Sequence, residues 1–161
     1  MCSSDLILVR LADCPTIVAV KEETGDVRRV TDMYVATGDR YQIFCGVDDQ
    51  IVESMSLGSV GWVSGMTNAW PAECVNIFNL CSEGRFSEAL ETYRILTPAF
   101  HLDTEIKLVQ NIKMAEHLVY GAPEWCIPPR LPLAGEDRER VVTLIQDAIK
   151  KLAEYQQRNA A

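Results

Sequence analysis

The residue of this sequence best suited to covalent chemistry is a lysine at the end of an apolar run. Lys21 follows the segment TIVAV at residues 16–20 and precedes two acids and the turn dipeptide Gly25-Asp26. Such a run predicts a buried parallel strand, and α/β folds place their chemistry at the carboxyl ends of these strands. An amine shielded from water there is held neutral and can attack a ketone to form an imine. The pattern by itself also fits a strand-end lysine that simply reaches solvent.

Two further strands are predicted downstream, at 41–46 (YQIFCG) and 58–65 (GSVGWVSG). Because side chains alternate along a strand, Gly61, Val63 and Gly65 are expected to point to one face, with Trp62 and Ser64 toward the surrounding helices. On the first strand, the same alternation places Ala19 and Lys21 on the inward face.

Two acids follow the second strand, Asp48 and Asp49. Gly46 and Asp48 are expected at the same rim as Lys21, because the carboxyl ends of parallel strands meet at one edge of a sheet. The alternative is that both acids cap the following helix, since acids are favoured at a helix N-terminus. Glu22 and Glu23 fit either structural ion pairs or proton transfer.

Helical periodicity predicts the elements that position these residues. Helices are expected at 4–13, 26–37, 48–57 and 71–82, alternating with the strands, which indicates parallel βαβ units with right-handed crossovers. From residue 86 the pattern is helical, at 86–100, 104–120 and 138–154, interrupted by the proline-rich CIPPRLPLAGE. His101 and His117 fall within these helices, far from the strand ends, and are assigned no catalytic role.

Composition limits the function classes. The chain has 161 residues, a net charge of −8 and no cluster of Lys or Arg, which argues against nucleic acid or an anionic membrane as a partner. The six cysteines, Cys2 included, form no CxxC pair, and two histidines are too few to complete an evident metal site. We expect no metal, no cofactor, free thiols and a cytoplasmic location.

Several stretches together resemble the dihydrodipicolinate synthase and N-acetylneuraminate lyase family, the class I aldolase-like barrels that bind a 2-oxo acid as a lysine Schiff base. They are VAVKEETGD, FCGVDD, LGSVGWVSGMTN, GRFSEALETYRILTPAF and PPRLPLAGEDRERV. The resemblance implies that Lys21 is the covalent lysine. It also implies substrate contacts, with pyruvate or another 2-oxo acid as partner, from Gly46, Asp48, Val63 and Gly65.

The resemblance also implies a fold. We expect an α/β chain that forms the C-terminal part of a (β/α)8 TIM barrel, with three parallel strands, over residues 1–83, and a C-terminal helical extension over 84–161. Five βα units of such a barrel have no counterpart here, which leaves sheet edges and an inner face uncovered. The chain is therefore expected to be a fragment, a truncated product or half of a two-part barrel, and to form a homo-oligomer (dimer or tetramer) or pair with a missing N-terminal half.

Three functions stay open at this point. The first is a carbon–oxygen or carbon–carbon lyase that acts on a 2-oxo acid through Lys21. The second is a keto-deoxy sugar acid dehydratase or pyrroline-carboxylate deaminase of the same superfamily. The third is a non-catalytic fragment or interaction protein.

Overall fold

The structure is a computed structural model that describes residues 3–159, so Cys2 lies outside the described residues. Its strands are β1 (Ala19–Glu22), β2 (Gln42–Cys45) and β3 (Gly61–Trp62). Its α-helices are α1 (Ser3–Leu11), α2 (Arg28–Thr37), α3 (Ile51–Ser56), α4 (Pro71–Ser82), α5 (Phe86–Phe100), α6 (Leu108–Tyr120) and α7 (Gly135–Asn159). Short 3-10 turns occupy Gly38–Arg40, Asp48–Gln50, Met66–Asn68 and His101–Thr104.

The three strands form one parallel sheet in the order β1-β2-β3, as the alternation of strands and helices predicts. In the register of the sheet, Lys21 lies opposite Phe44, and Phe44 lies opposite Gly61. These three residues therefore share a face. Ile43 and Cys45, on the other face of β2, are buried beneath the helices.

The first and third strands are shorter than the sequence predicts. Before β1, the N–H of Ile17 donates to the carbonyl of Cys14, so a turn occupies the beginning of the predicted strand. Before β3, the N–H of Ser59 donates back to Ser54 of α3. In both places the backbone groups bond locally, and regular pairing with β2 begins later.

A large apolar core joins β2 to the helices that follow it. Its buried members come from α3 to α7 as well as from β2, and they include Cys45, Ile77, Phe100, Met114 and Ile145. A second, smaller cluster of Val30, Met33 and Ile43 lies between α2 and β2. The helices after residue 86 therefore pack directly against the sheet-bearing part, while the division into regions 1–83 and 84–161 stays a prediction.

A proline and a glycine mark the ends of two helices. Pro71 begins α4 at a position where the missing N–H costs nothing. Gly121 ends α6 in the left-handed conformation (φ 73°), and its N–H donates to the carbonyl of His117. The proline-rich connection between α6 and α7 is not helical, as predicted.

In the described range, no helix has the length and apolar character needed to cross a membrane.

Candidate active site

Lys21 lies at the carboxyl-terminal part of β1, and its side chain extends over the end of β2. A Cβ atom placed on Gly46 would lie 2.9 Å from Cγ and 3.0 Å from Cε of Lys21, and 2.6 Å from the carbonyl oxygen of Glu22. Gly46 also donates its N–H to that carbonyl at 2.7 Å. The glycine is thus required for close approach of β1 and for the path of the lysine stem.

The ammonium group of Lys21 is paired with a neighbouring acid. Its Nζ lies 2.6 Å from Oε2 of Glu23, and the side chains of the two residues are 41% and 52% exposed. Glu22 bonds with the N–H and hydroxyl of Thr24 instead. Glu23 therefore forms an ion pair and Glu22 a local turn, while a role of either acid in proton transfer stays untested.

The face that carries Lys21 is open. Val63, two residues after Gly61 and so on the same face as Lys21, is 48% exposed although it directly follows β3. Large exposed apolar side chains on a sheet face mark a surface that another element covers. Within residues 3–159, Lys21 therefore lies on a partly exposed face of the sheet.

Asp48 follows β2 at the same end of the sheet, but its side chain points into the protein. It is fully buried, and its two carboxylate oxygens accept hydrogen bonds from Trp62 Nε1 at 3.0 Å and from the N–H of Met66 at 2.7 Å. Burial raises its pKa, and these donors act in the opposite direction. Its carboxylate ties the end of β2 to the turn after β3, and its substrate contact stays a prediction.

Both acids lie in the first turn of the short helix that precedes α3, as the capping alternative expects, but neither side chain forms a capping hydrogen bond. Asp49 instead lies 2.7 Å from Nδ1 of His101. The interpretation of His101 as remote from the strand ends is therefore wrong: it lies in a 3-10 turn after α5 that packs against the end of β2. His117 lies in α6 and contacts the carbonyl of Ala122.

Gly65 lies after β3 and contacts the helical part of the chain. A Cβ atom placed on it would lie 2.3 Å from Oδ1 of Asp103 and 2.6 Å from Cδ1 of Ile112. Val63, two residues earlier, bonds through its N–H to Cys45 and leaves its side chain on the open face. The structure thus brings Gly46, Val63 and Gly65 to the same end of the sheet as Lys21, while their substrate contacts stay predictions.

Asp103 is a residue of this rim that the sequence did not reveal. Burial raises the pKa of its carboxyl to about 7, and the negative charge of Asp48 adds to the rise. The backbone N–H of Asp48 and the charge of Lys21 act in the opposite direction. No local pattern distinguishes HLDTE from an ordinary helix end, because the contact with Gly65 is tertiary.

Burial makes the thiols near the sheet poorly suited to nucleophilic chemistry. Burial raises the pKa of Cys45 to about 11, that of Cys74 to about 12 and that of Cys81 to about 11, so these thiols are poor nucleophiles. Over residues 3–159, no three His, Cys, Asp or Glu side chains are grouped so that they could hold a metal ion.

Comparison with known proteins agrees with this geometry. The profile of the Dihydrodipicolinate synthetase family matches residues 6–148. The 4-hydroxy-tetrahydrodipicolinate synthase of Clostridium perfringens is 35% identical over 142 residues, which cover 86% of this chain and 47% of that protein. The L-threo-3-deoxy-hexylosonate aldolase of Aspergillus niger is 30% identical over 170 residues, with 91% and 50% covered.

A solved structure shows the same arrangement. The 4-hydroxy-tetrahydrodipicolinate synthase of Methylacidiphilum fumariolicum SolV superposes with a TM-score of 0.84 at 27% identity, covering 95% of this chain and 51% of that one. The chain belongs to the Dihydrodipicolinate synthetase family, and it spans about half the length of the curated relatives it matches. The predicted fold, part of a (β/α)8 barrel followed by helices, is confirmed.

Proposed function

We propose that this chain carries the nucleophile of a lyase that binds pyruvate or another 2-oxo acid as a Schiff base on Lys21. The observation that carries the proposal is the position of Lys21 at the carboxyl end of β1, with its stem over Gly46. Its amine attacks the ketone carbon, water leaves, and the protonated imine withdraws electrons from the adjacent carbon. Membership of the family and the aldolase and synthase names of the relatives support this chemistry.

We further propose that turnover needs the rest of the barrel. The face around Lys21 is open, and Lys21 is ion-paired and 41% exposed. Positioning of the substrate and acid–base assistance each contribute several orders of magnitude to such reactions. Covering strands, from this protein or from another chain, would exclude water from Lys21 and supply these groups, and they would also cover the exposed edge of β1.

The substrate beyond the 2-oxo acid group has two candidates. The synthase relatives favour addition of pyruvate to a second substrate. The Aspergillus niger relative favours cleavage of a 3-deoxy sugar acid. A homo-oligomer and a cytoplasmic location are part of the same proposal, the latter because the described cysteines are free thiols, as is usual in a reducing compartment.

Imine trapping tests the role of Lys21. The protein is incubated with pyruvate and cyanoborohydride, and the modified peptides are quantified by mass spectrometry. Lys151 is a matched internal control, because it is 54% exposed and lies 2.6 Å from the carboxylate of Asp147, much as Lys21 lies from Glu23. We expect faster modification of Lys21 than of Lys151, above all after a separately produced amino-terminal half of the Clostridium perfringens relative is added.

Lys21→Arg keeps the positive charge and is expected to abolish both the specific adduct and turnover of the 2-oxo acid in the mixture. Equal modification of Lys21 and Lys151, both alone and in the mixture, would overturn the proposed function. Full turnover by the isolated chain would instead show that residues already described here perform the tasks assigned to the rest of the barrel.

A further inference from the structure

The connection between α6 and α7, residues 121–134, forms an arch beside α6. Near its beginning, the carbonyl oxygen of Ala122 lies 2.9 Å from Nδ1 of His117. Near its end, Nε2 of Gln110 donates to the carbonyl of Leu131 at 3.1 Å. Both tethering side chains belong to α6, so the arch is fixed to this helix at two points.

A cavity of about 370 Å³ lies between the arch and α6. On the helix it is lined by Val109, Lys113 and Glu116, whose spacing of four and three residues places them on one face of α6. On the arch it is lined by residues that include Pro123, Trp125 and Arg130. Cavities of this size, with apolar walls and a few polar groups, are typical of small-molecule sites.

The apolar side chains in the middle of the arch do not pack into the core of the protein. Trp125 is 65% exposed and Ile127 is 71% exposed. Leu133, at the end of the arch, is the residue that joins the core. The indole of Trp125 therefore offers a ring face at the cavity, against which another ring can stack.

The charged groups around the cavity leave one cation without an acid. Nζ of Lys113 lies 2.7 Å from Oε2 of Glu116, so these two charges neutralise each other. Glu124, on the arch, is paired with Arg138 of α7 at 3.0 Å. Within the part of the chain that the structure describes, the guanidinium of Arg130 has no ion-pair partner. A guanidinium in this state binds a carboxylate through two parallel hydrogen bonds.

We propose that the cavity under the arch binds a small aromatic carboxylate. The ring of the ligand lies against Trp125 and the apolar wall, and its carboxylate binds Arg130. The positive charge of Arg130 favours an anion over a cation of the same shape. This inference does not depend on Lys21, because the cavity lies between α6 and the arch and takes no residue from the sheet.

The test uses 2-naphthoate as the probe, and 2-naphthol as a probe of similar shape that is uncharged at neutral pH. Isothermal titration calorimetry measures both affinities. We expect a Kd below about 1 mM for 2-naphthoate and binding of 2-naphthol that is about tenfold weaker. Arg130→Gln should weaken binding of 2-naphthoate about tenfold and leave 2-naphthol unchanged. Trp125→Ala should weaken both, while Arg158→Gln, at an exposed arginine near the end of α7, is the control and should change neither.

Protection of a thiol locates the bound probe. Cys126 lines the cavity, and Cys14, which is also partly exposed, lies in the turn before β1. Alkylation of both thiols by iodoacetamide is followed by peptide mass spectrometry. We expect saturating 2-naphthoate to slow alkylation of Cys126 severalfold and to leave Cys14 unchanged.

Three results would overturn the proposal. Equal affinity for 2-naphthoate and 2-naphthol would mean that Arg130 contributes nothing, and a Kd far above about 1 mM would mean that the cavity is no site. Binding without protection of Cys126 would place the probe elsewhere. Displacement of 2-naphthoate by the separately produced amino-terminal half of the Clostridium perfringens relative would show that the cavity is a contact between the two halves.

The proposal stays testable if a variant is unstable. Both substitutions replace exposed side chains, which usually leaves a fold intact. Should circular dichroism show that either variant is unfolded, the comparison of the two probes and the protection of Cys126 in the natural chain decide.

Discussion

Neutralising Asp103 is expected to stabilise this protein, and more strongly as pH rises. In the folded chain, burial raises the pKa of this carboxyl from 3.8 to about 7. In the unfolded chain it returns to its ordinary value, so between these two pH values the folded state holds a proton that unfolding releases. This contribution to stability therefore falls as pH rises from 3.8 to about 7 and stays constant above that value.

The size of the effect follows from the same shift. At ~1.4 kcal/mol per pKa unit, a rise from 3.8 to about 7 corresponds to an upper limit of ~4 kcal/mol of lost stability above neutral pH. Asp103 is partly exposed, so solvent screening reduces the expected loss to about 2 kcal/mol. Asp103→Asn removes this loss and leaves the packing against Gly65 intact.

Urea unfolding at about pH 5 and about pH 8.5 measures the effect. The free energy of unfolding of Asp103→Asn is compared with that of the natural chain at each pH. We expect this difference to shift in favour of the variant by up to about 2 kcal/mol from the lower to the higher pH. Asp39→Asn should differ from the natural chain by less than about 0.5 kcal/mol at both, because that side chain is exposed. A stability difference for Asp103→Asn that stays constant with pH would refute the reasoning, since it would mean that the carboxyl titrates alike in the folded and unfolded states.

Three further predictions concern packing and assembly. Gly46→Ala should lower the free energy of unfolding in urea by about 1–3 kcal/mol and slow the modification of Lys21. The reason is that the new methyl group meets the backbone of β1 as well as the lysine stem. Unchanged values would show that β1 shifts freely. Trp62→Phe should cost about 1–3 kcal/mol in thermal or urea unfolding, because Asp48 loses a buried donor, and an unaffected midpoint would contradict this. Light scattering after size-exclusion chromatography should show an oligomer or aggregate, since the sheet face is open; a sharp monomer would mean that this face is covered.

Much of the fold follows from local sequence. The helices α2, α4 and α5 lie close to their predicted bounds, because an apolar stripe of helical period and a first-turn proline act within a few residues. The parallel order of the strands follows from the short alternating connections. The resemblance to the family predicted Lys21 as the nucleophile. The structure places Lys21 near the carboxyl end of β1, as the sequence predicts.

The limits of the strands and the surroundings of the site depended on tertiary structure. Strand ends are set by backbone pairing between distant segments, so the local bonds of Ile17 and Ser59 shorten what the apolar runs suggest. The surroundings of the site depend on how the helices after residue 86 pack against the sheet. This packing places His101 and Asp103 at the end of the sheet, and the turn after β3 binds the buried carboxylate of Asp48. The sequence therefore predicted which lysine is the proposed nucleophile, whereas long-range packing decided which acids lie near it.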